Sequence, residues 1–427
     1  MSPTRRIILT SVLLFAATEA LLLIHIQYPD HENFDEFHYV KAARALLDLS
    51  ANTNWEHPPL AKYLIAAGMK IAGDRPFGWR LMPALFGSLS VVGMYLWALL
   101  LFRRQSTAAW VALLSMLNGF LFVMGRVAML DVFMFAFLLY GIIAVTALWH
   151  ARDRKQADRL LVAAGVMFGL SMACKWFALA PWVFSLLLIV FIRTLQRSGS
   201  TLFRSPQPGT DEWYTPDTFR HLDWTSILVG LVVLPTIVYL ATFVPLRWVP
   251  GPKASWSGLL RMQRDISYGQ SVISGWHPYS SFWWQWPATR RPMWFAYDAQ
   301  PNDREHARGV ILLGNPAIMW GGLLAVAICL WHWLRARSRT AFFGFAWWVT
   351  LYLCWAWVPR TLTFYYYYFP AAMTLSVALA YVVEHWRDRR WMRWGQWLLL
   401  AVSLIMFIGL YPFYADLVMP ASVMPAG

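Results

Sequence analysis

Long apolar runs alternate with short polar segments along most of this chain. An apolar run of about 18 or more residues can cross the hydrocarbon core of a bilayer as a helix. The pattern predicts about eleven transmembrane helices, so the expected fold class is an all-α polytopic membrane protein. The predicted spans are residues 7–27, 79–102, 107–124, 128–149, 160–174, 177–192, 224–245, 310–333, 341–358, 364–384 and 395–414.

The short segments on one side of the predicted membrane are all basic. Their arginines lie within 103–104, 152–159, 193–220, 335–339 and 387–393. Cytoplasmic loops carry an excess of Lys and Arg, which places the N-terminus in the cytoplasm. A cleaved signal peptide would also begin with basic residues. The first apolar run is long for such a peptide and further spans follow, so an uncleaved helix is favoured. We therefore expect a single transmembrane domain over residues 1–427.

The overall composition agrees with the membrane class. Hydrophobic residues make up 59% of the chain and charged residues 14%, whereas soluble domains carry about 25% charged residues. The formal net charge is +14. Because the arginines lie in short loops, this charge favours topology signals and anionic-lipid contacts over nucleic-acid binding. The 3 cysteines lie in apolar runs without metal-ligand spacing and are expected to be packing residues.

Two longer segments, 28–78 and 246–309, are predicted to lie on the outer side of the membrane. In the first, residues 36–49 and 59–72 repeat apolar side chains at helical spacing. Each stretch is too short to cross a bilayer, so both are predicted to be amphipathic helices on the membrane surface. A groove between such helices and the spans would suit a substrate with a lipid tail and a polar head.

Adjacent carboxylates, Asp35 and Glu36, stand just beyond the first span at the start of a predicted surface helix. A carboxylate near an attacking hydroxyl can act as a general base, so both are candidate catalytic residues. Helix capping by Asp35 and a favourable dipole interaction of Glu36 would explain the same pair without catalysis.

A second outer motif begins at Glu56 and His57, which are followed by two prolines. The prolines fix an extended entry into the second surface helix, where backbone N–H groups can hold an anion. Glu56 and His57 are therefore candidates for the acceptor or sugar site. An ordinary helix start with a solvated histidine is the simpler alternative.

Three cations are predicted to reach the outer interface: Arg126, Lys175 and Arg360. Together they could bind a phosphate diester, the arginines through paired N–H bonds and the lysine as a point charge. Each one singly could instead be a side chain that extends from a span towards water. Asp131, five residues after Arg126, is a further candidate for the sugar or acceptor site.

The second outer segment contains an aromatic stretch with His277 and Trp283. Aromatic faces bind sugars and peptides by apolar contact, so these two residues are also assigned to the sugar or acceptor site. Packing of the loop against the bilayer surface is the alternative. His31, Glu32 and His38 lie near Asp35, but they do not form a convincing metal-binding pattern, and no metal is expected.

Eight segments of the chain resemble the protein O-mannosyltransferases, which belong to the polyprenyl-phosphate-dependent membrane glycosyltransferases. The segments run in family order from about residue 33 to residue 370: FDEFHY, EHPPLAKYL, FGWRL, GRVAMLD, GLSMACKW, HPYSSFWWQWP with the following RP, GNP at 314–316, and PRTLTFYYYYFP. The individual motifs are weak, but their shared order is specific.

The resemblance implies an eleven-span fold with an active site facing the lumen or periplasm. It implies inverting transfer of mannose from a polyprenyl or dolichyl phosphate to a protein Ser or Thr. No nucleotide-binding loop or other cofactor site is expected from the residues. By this likeness Asp35 is the base, Glu36 its neighbour, and Arg126 holds the carrier phosphate with help from Arg360. Glu56 and His57 shape the acceptor or phosphate site. The partners are then the lipid-linked sugar, an acceptor protein and the bilayer.

Two departures leave the donor sugar and the acceptor open. Glu56 directly precedes His57, a form that also resembles the aminoarabinose transferases acting on lipid A, and residues 246–309 are too few for the luminal insert of eukaryotic members. A compact enzyme of a bacterial inner membrane, with a periplasmic site, is therefore expected. Transfer to a lipid or glycan is the alternative within enzymes. A transporter is the alternative outside them, although its polar residues would lie nearer the bilayer midplane.

Overall fold

The fold is described from a computed structural model, which covers residues 2–197, 222–250, 255–272, 275, 277–299, 305–358, 360 and 362–423. Nearly all regular structure is helical. The helices of the first half are α1 (Pro3–Leu23), α2 (Glu36–Leu47), α3 (Leu60–Ala72), α4 (Pro76–Phe102), α5 (Gln105–Met116), α6 (Gly119–Met124), α7 (Leu130–Ala147), α8 (Arg154–Cys174) and α9 (Leu179–Arg197). Those of the second half are α10 (Trp224–Leu228), α11 (Leu234–Ala241), α12 (Trp256–Val272), α13 (Pro316–Ala336), α14 (Arg339–Leu353), α15 (Phe369–His385) and α16 (Arg390–Tyr414).

A small antiparallel sheet accompanies the helices. Its strands are β1 (Met293–Ala299), β2 (His306–Leu312) and β3 (Met419–Pro420), in the order β1-β2-β3. The predicted span 310–333 overlaps this sheet, so its start was wrong: residues 310–312 end β2, and α13 begins only at Pro316. The side chain of Asn315 caps α13 by accepting from the N–H of Ala317, and Pro316 occupies its first turn.

In the described part of the chain, 9 helical segments are long and apolar enough to cross a membrane. They are Pro3–Leu23, Pro76–Phe102, Leu130–His150, Arg154–Cys174, Trp176–Leu195, Trp224–Trp248, Pro316–Ala336, Tyr365–His385 and Arg390–Tyr414. The other two predicted spans, 107–124 and 341–358, contain shorter helices. α5 and α6 are separated at Asn118, whose side chain caps α6, and α14 has 15 residues. The all-α membrane fold is confirmed, and the count of eleven spans stays a prediction.

The bundle is organised around α7 and α15, most of whose side chains are buried. In contrast, α1 and α16 expose apolar side chains along most of their length. Helices that are apolar on every side, such as α7 and α15, are stable in the interior of a bundle. The exposed apolar surfaces of α1 and α16 are typical of helices that contact lipid. The burial pattern therefore agrees with a membrane-embedded bundle.

The two amphipathic helices predicted in the first outer segment are present as α2 and α3; they pack against each other, and α3 packs along α4. A turn at Gly73, with φ of +89°, reverses the chain from α3 into α4. A Cβ on Gly78 would lie 1.9 Å from the carbonyl oxygen of Gly73, so this close approach requires glycine. The sequence pattern missed a third such helix, α12, which buries Leu259, Met262 and Ile266.

Candidate active site

The site is framed by a buried ion pair between Glu36 and Arg80. Both side chains are fully buried. Arg80 donates to both carboxylate oxygens, from Nε at 2.9 Å and Nη2 at 2.8 Å. The N–H groups of Ala128 at 2.7 Å and Asn33 at 3.1 Å complete the shell of the carboxylate. Glu36 therefore joins α2, α4 and the segment before α7, and both of its oxygens are engaged.

The rest of the Arg80 guanidinium fixes the chain between α1 and α2. It donates to the carbonyl oxygens of Ile26 at 3.0 Å, Pro29 at 2.7 Å and His31 at 2.9 Å. With the two bonds to Glu36, the buried Arg80 guanidinium makes five charge-assisted hydrogen bonds. It therefore rigidly supports the segment that leads into Asp35.

Asp35 occupies the N-cap position of α2, but its side chain makes no capping hydrogen bond. Its Oδ2 accepts a hydrogen bond from the Tyr366 hydroxyl at 3.1 Å, and the Tyr39 hydroxyl lies at 3.5 Å. Burial raises the pKa of Asp35, while the nearby cation Lys175 opposes the shift. Capping does not account for this carboxylate, which is held by tyrosines and made more basic by burial.

Lys175 lies between α8 and α9 and pairs with Asp131, the second residue of α7. Its Nζ is 2.8 Å from each oxygen of the Asp131 carboxylate. The same ammonium lies 5.0 Å from the ring centroid of Tyr366 and 4.7 Å from that of Tyr367. Tyr366 thus contacts Asp35 through its hydroxyl and Lys175 through its ring, which connects the candidate base to a cation.

A cavity of about 300 Å³ adjoins this cluster. It brings together four predicted site residues, Glu56, His57, Lys175 and Arg360. The remaining walls are formed by Pro58, Trp176, Phe177, Leu179, Ala180, Gln270, Cys354, Trp355 and Val358. Leu179 at the start of α9 is exposed, so the cavity lies next to the lipid-facing side of the bundle. Two cations beside an apolar wall suit a lipid-linked anion.

Arg360 is held at this cavity by α12. Its Nη1 donates to Oε1 of Gln270 at 3.2 Å, and its guanidinium carbon lies 5.3 Å from the ring centroid of Tyr367. Gln270 in turn donates from Nε2 to the carbonyl oxygen of Glu56 at 2.9 Å. In the described residues the Nε of Arg360 is buried without a hydrogen-bond partner, so the guanidinium retains donor capacity.

Lys62 holds the segment that carries Glu56 and His57. This buried lysine donates to the carbonyl oxygens of Asn54 and of His57, the latter at 2.9 Å. Burial lowers the pKa of Lys62 to about 7. Burial also lowers the pKa of His57 well below its ordinary value, and repulsion from the neighbouring cation Lys175 is the next largest cause. At neutral pH His57 is therefore a neutral imidazole.

Arg126 lies at the same end of the bundle, but it is not among the cavity-lining residues. Its Nη1 donates to the carbonyl oxygens of Leu22 at 2.6 Å and of Ile24, at the C-terminal end of α1. Cations stabilise this end of a helix. Burial lowers the pKa of Arg126 to about 10, which leaves it charged at neutral pH. Among the described residues its Nη2 is buried without a partner.

The aromatic stretch packs on the tyrosine turn that precedes α15. Ser281 and Thr363 exchange hydrogen bonds at 2.8 and 2.6 Å. The His277 ring contacts Phe34, the neighbour of Asp35, with ring centroids 5.9 Å apart. Trp283 packs against Tyr352 at 5.4 Å and does not line the cavity. The stretch therefore supports the turn that carries Tyr366, and His277 contacts the residue that precedes Asp35.

Sequence reasoning assigned no individual role to Arg80, Lys62, Gln270 or Tyr366, although FGWRL, EHPPLAKYL and PRTLTFYYYYFP contain three of them. Arg80 and Lys62 each carry a charge inside an otherwise apolar helical pattern, and such residues are either functional or firmly paired. Gln270 gave no comparable signal, and no local pattern separates Tyr366 from the other three tyrosines of its run. No group of three or more His, Cys, Asp or Glu suited to a metal occurs within the described ranges, and the absence of a metal cofactor stays a prediction.

Comparison with known families identifies the chain. A model described as dolichyl-phosphate-mannose-protein mannosyltransferase matches residues 73–249, and one described as the C-terminal four-transmembrane region of protein O-mannosyltransferase matches residues 255–423. The chain belongs to the protein O-mannosyltransferase family. The matched regions include Arg80, Lys175 and Arg360, whereas Asp35 and Glu56 precede them.

Similar curated proteins carry the name polyprenol-phosphate-mannose–protein mannosyltransferase. That of Corynebacterium glutamicum is 25% identical over 370 residues, which cover 72% of this chain and 68% of the relative. That of Mycolicibacterium smegmatis is 28% identical over 363 residues, with coverage of 72% and 67%. The chain thus spans about two thirds of the length of these relatives.

Solved structures share the fold at low sequence identity. The Saccharomyces cerevisiae Pmt1-Pmt2 complex bound to the sugar donor matches with a TM-score of 0.79 and 13% identity, covering 97% of this chain and 91% of that chain. ArnT from Cupriavidus metallidurans bound to undecaprenyl phosphate matches with a TM-score of 0.62 and 15% identity, covering 94% and 64%. These likenesses extend over nearly the whole chain and establish the glycosyltransferase fold.

Proposed function

We propose that this membrane enzyme transfers mannose from a polyprenyl-phosphate carrier to Ser or Thr hydroxyls of exported proteins, with inversion at the sugar. The observation that carries the proposal is the partly buried Asp35 carboxylate, whose hydrogen-bond partner Tyr366 also contacts Lys175, a cation that lines the cavity. Membership in the family and the shared names of its relatives support the same reaction.

In this reaction Asp35 accepts the proton of the acceptor hydroxyl while the hydroxyl oxygen attacks the anomeric carbon. The bond between that carbon and the phosphate oxygen breaks, and its electron pair leaves with the carrier phosphate. Arg360 and Lys175 neutralise the negative charge that develops there, and each such donor contributes a few kcal/mol. Phosphate is a good leaving group, so the mechanism needs no second carboxylic acid and no further cofactor.

The other predicted residues take supporting roles in this proposal. Glu36 positions Asp35, because both of its oxygens are already engaged by Arg80 and backbone N–H groups. Glu56 and His57 form the acceptor-side wall of the cavity. Arg126 holds the end of α1, and its unpartnered Nη2 keeps it a candidate for phosphate binding. Asp131 sets the position of Lys175, and His277 and Trp283 support the tyrosine turn.

The chain is an integral membrane protein, and we place it in a bacterial inner membrane with the site on the periplasmic side. Arg104 and Arg387 lie at the end of the bundle opposite Asp35, where both contact Glu384 near the C-terminal end of α15. A basic end is typical of the cytoplasmic face. An acceptor site on the other side then meets proteins after export.

Purified enzyme, labelled polyprenyl-phosphate mannose and a Ser/Thr peptide test the proposal. Asp35→Asn should reduce transfer by about 10²–10⁴-fold, the usual contribution of a general base. Asp48→Asn, an exposed carboxylate at the other end of α2, is the matched control and should transfer normally. Unchanged transfer by Asp35→Asn would remove the proposed base. Transfer only to lipid acceptors would favour the lipid or glycan alternative.

A further inference from the structure

A second cavity, of about 400 Å³, lies at the end of the bundle opposite Asp35. It is formed where α5 begins, α15 ends and α16 begins. α15 has 17 residues, so at 1.5 Å per residue its two ends lie about 25 Å apart, with the tyrosine turn that contacts Asp35 at one end and this cavity at the other. The lining residues are Arg104, Ser106, Thr107, Trp110, Val383, Glu384, Arg387, Asp388, Arg393, Gln396 and Trp397.

The charges of this cavity are not balanced. Glu384 accepts from the Thr107 hydroxyl and lies 3.4 Å from Nε of Arg104 and 3.6 Å from Nη1 of Arg387. Arg387 also lies 3.6 Å from Asp388. The two acids are thus matched by two arginines. The third, Arg393, is exposed and has no ion-pair partner among the residues that the structure describes.

A shallower depression continues from this cavity along α16. It shares Arg393 and Trp397 with the cavity and adds Arg390 and Trp394. Arg104, Arg387, Arg390 and Arg393 therefore face Glu384 and Asp388 over the joined surface. The excess of two positive charges, together with the hydroxyl donor of Ser106, suits a phosphate group.

The position of the cavity indicates that its ligand is bound to the membrane. Trp394 and Trp397 are exposed on the first turns of α16, and the same helix continues with the exposed apolar side chains Leu398, Ile405 and Ile408. Tryptophan and arginine concentrate where the headgroups of a bilayer meet its acyl chains. The basic cavity therefore opens beside the headgroup layer, where a phosphate with a lipid tail can reach it.

We propose that this cavity binds the phosphate headgroup of an anionic membrane lipid on the cytoplasmic side. Arg393 and Arg390 make the charge-assisted contacts, and Trp397 packs along the start of the acyl chain. Neither the cavity nor its arginines take part in the proposed sugar transfer, so the two sites can be tested separately.

Native mass spectrometry of the delipidated protein in detergent tests the proposal with palmitoyl-oleoyl phosphatidylglycerol as the probe. The wild-type protein should bind this lipid about tenfold more tightly than the zwitterionic phosphatidylcholine of the same chains. Arg390→Gln/Arg393→Gln should lose about tenfold in Kd. Arg152→Gln, at the same end but outside the cavity, should bind normally. Because Arg393 is exposed and unpaired, Arg393→Gln alone gives a variant that keeps the fold.

Competitors distinguish the sources of the phosphate. Displacement by undecaprenyl phosphate at lower concentration than by phosphatidylglycerol would support the site and identify the carrier lipid as its occupant. Displacement by millimolar inorganic phosphate alone would overturn the requirement for a lipid tail. Equal binding of phosphatidylglycerol and phosphatidylcholine, or unchanged binding by the double variant, would overturn the proposal.

Discussion

Replacement of Glu36 by Gln should destabilise the protein far more than the same replacement at Glu32. Glu36→Gln keeps the side-chain shape but leaves the fully buried Arg80 guanidinium without its counter-charge. Removing one partner of a buried ion pair costs about 3–5 kcal/mol. Glu32, four residues earlier, pairs with Arg44 at 2.5 Å, and the Arg44 side chain is 36% exposed. Such a pair contributes about 1 kcal/mol or less.

Thermal unfolding of both variants in the same detergent measures the difference. At roughly 2 °C per kcal/mol for a large domain, Glu36→Gln should lower Tm by about 5–10 °C and Glu32→Gln by about 2 °C or less. A double-mutant cycle with Arg80→Gln should show that the two residues are coupled, because the double variant no longer buries an unpaired charge. Equal small shifts for the two glutamates, or additive effects in the cycle, would refute the view that this pair supports the site.

Three further predictions follow from the site. Burial raises the pKa of Asp35, so the pKa of the acid limb in the pH profile of kcat/KM should lie above that of an ordinary carboxyl group. Tyr366→Phe should raise this pKa further, because the hydrogen bond that favours the carboxylate is lost. Arg360→Met should raise KM for the lipid-linked donor about tenfold with the fold intact, measured against Arg261→Met, an exposed arginine of α12. Burial lowers the pKa of Lys62 to about 7 from 10.5. Above pH 7 the Lys62 amine therefore binds more protons in the unfolded chain than in the folded one, so the free energy of unfolding should rise with pH between about 7 and 9. This rise should be smaller in Lys62→Met.

Much of the helical fold was predictable because the apolar pattern carries it directly. Helical spacing of apolar residues predicted α2 and α3 to within a few residues. The same reasoning failed at residues 310–312, whose apolar side chains fit either a span or a buried strand. It also missed α12, in which Leu259, Met262 and Ile266 are the only large apolar side chains that are buried, so its apolar face is sparser than those of α2 and α3. The spacing of apolar residues indicates that their side chains are buried, but for a short stretch it does not show against which element they pack.

The roles of the two adjacent carboxylates could not be separated from the sequence. Asp35 and Glu36 stand at a helix start, where consecutive side chains point about 100° apart. One therefore faces inward to Arg80, which is 44 residues distant, and the other faces Tyr366, which is 331 residues distant. Partners at such separations depend on how the bundle packs, and no local pattern encodes them.

The distribution of charge in the proposed site assigns different roles to its two cations. Lys175 is already matched by Asp131, with both carboxylate oxygens at 2.8 Å. Arg360 contacts a neutral amide, and its Nε is unpartnered within the described ranges. Attraction between unit charges falls with their separation and is strongest where no counter-ion is present. In the proposed mechanism we therefore expect Arg360 to supply most of the net attraction for the carrier phosphate. We expect Lys175, which contacts the ring of Tyr366, chiefly to set the electrostatic environment of Asp35.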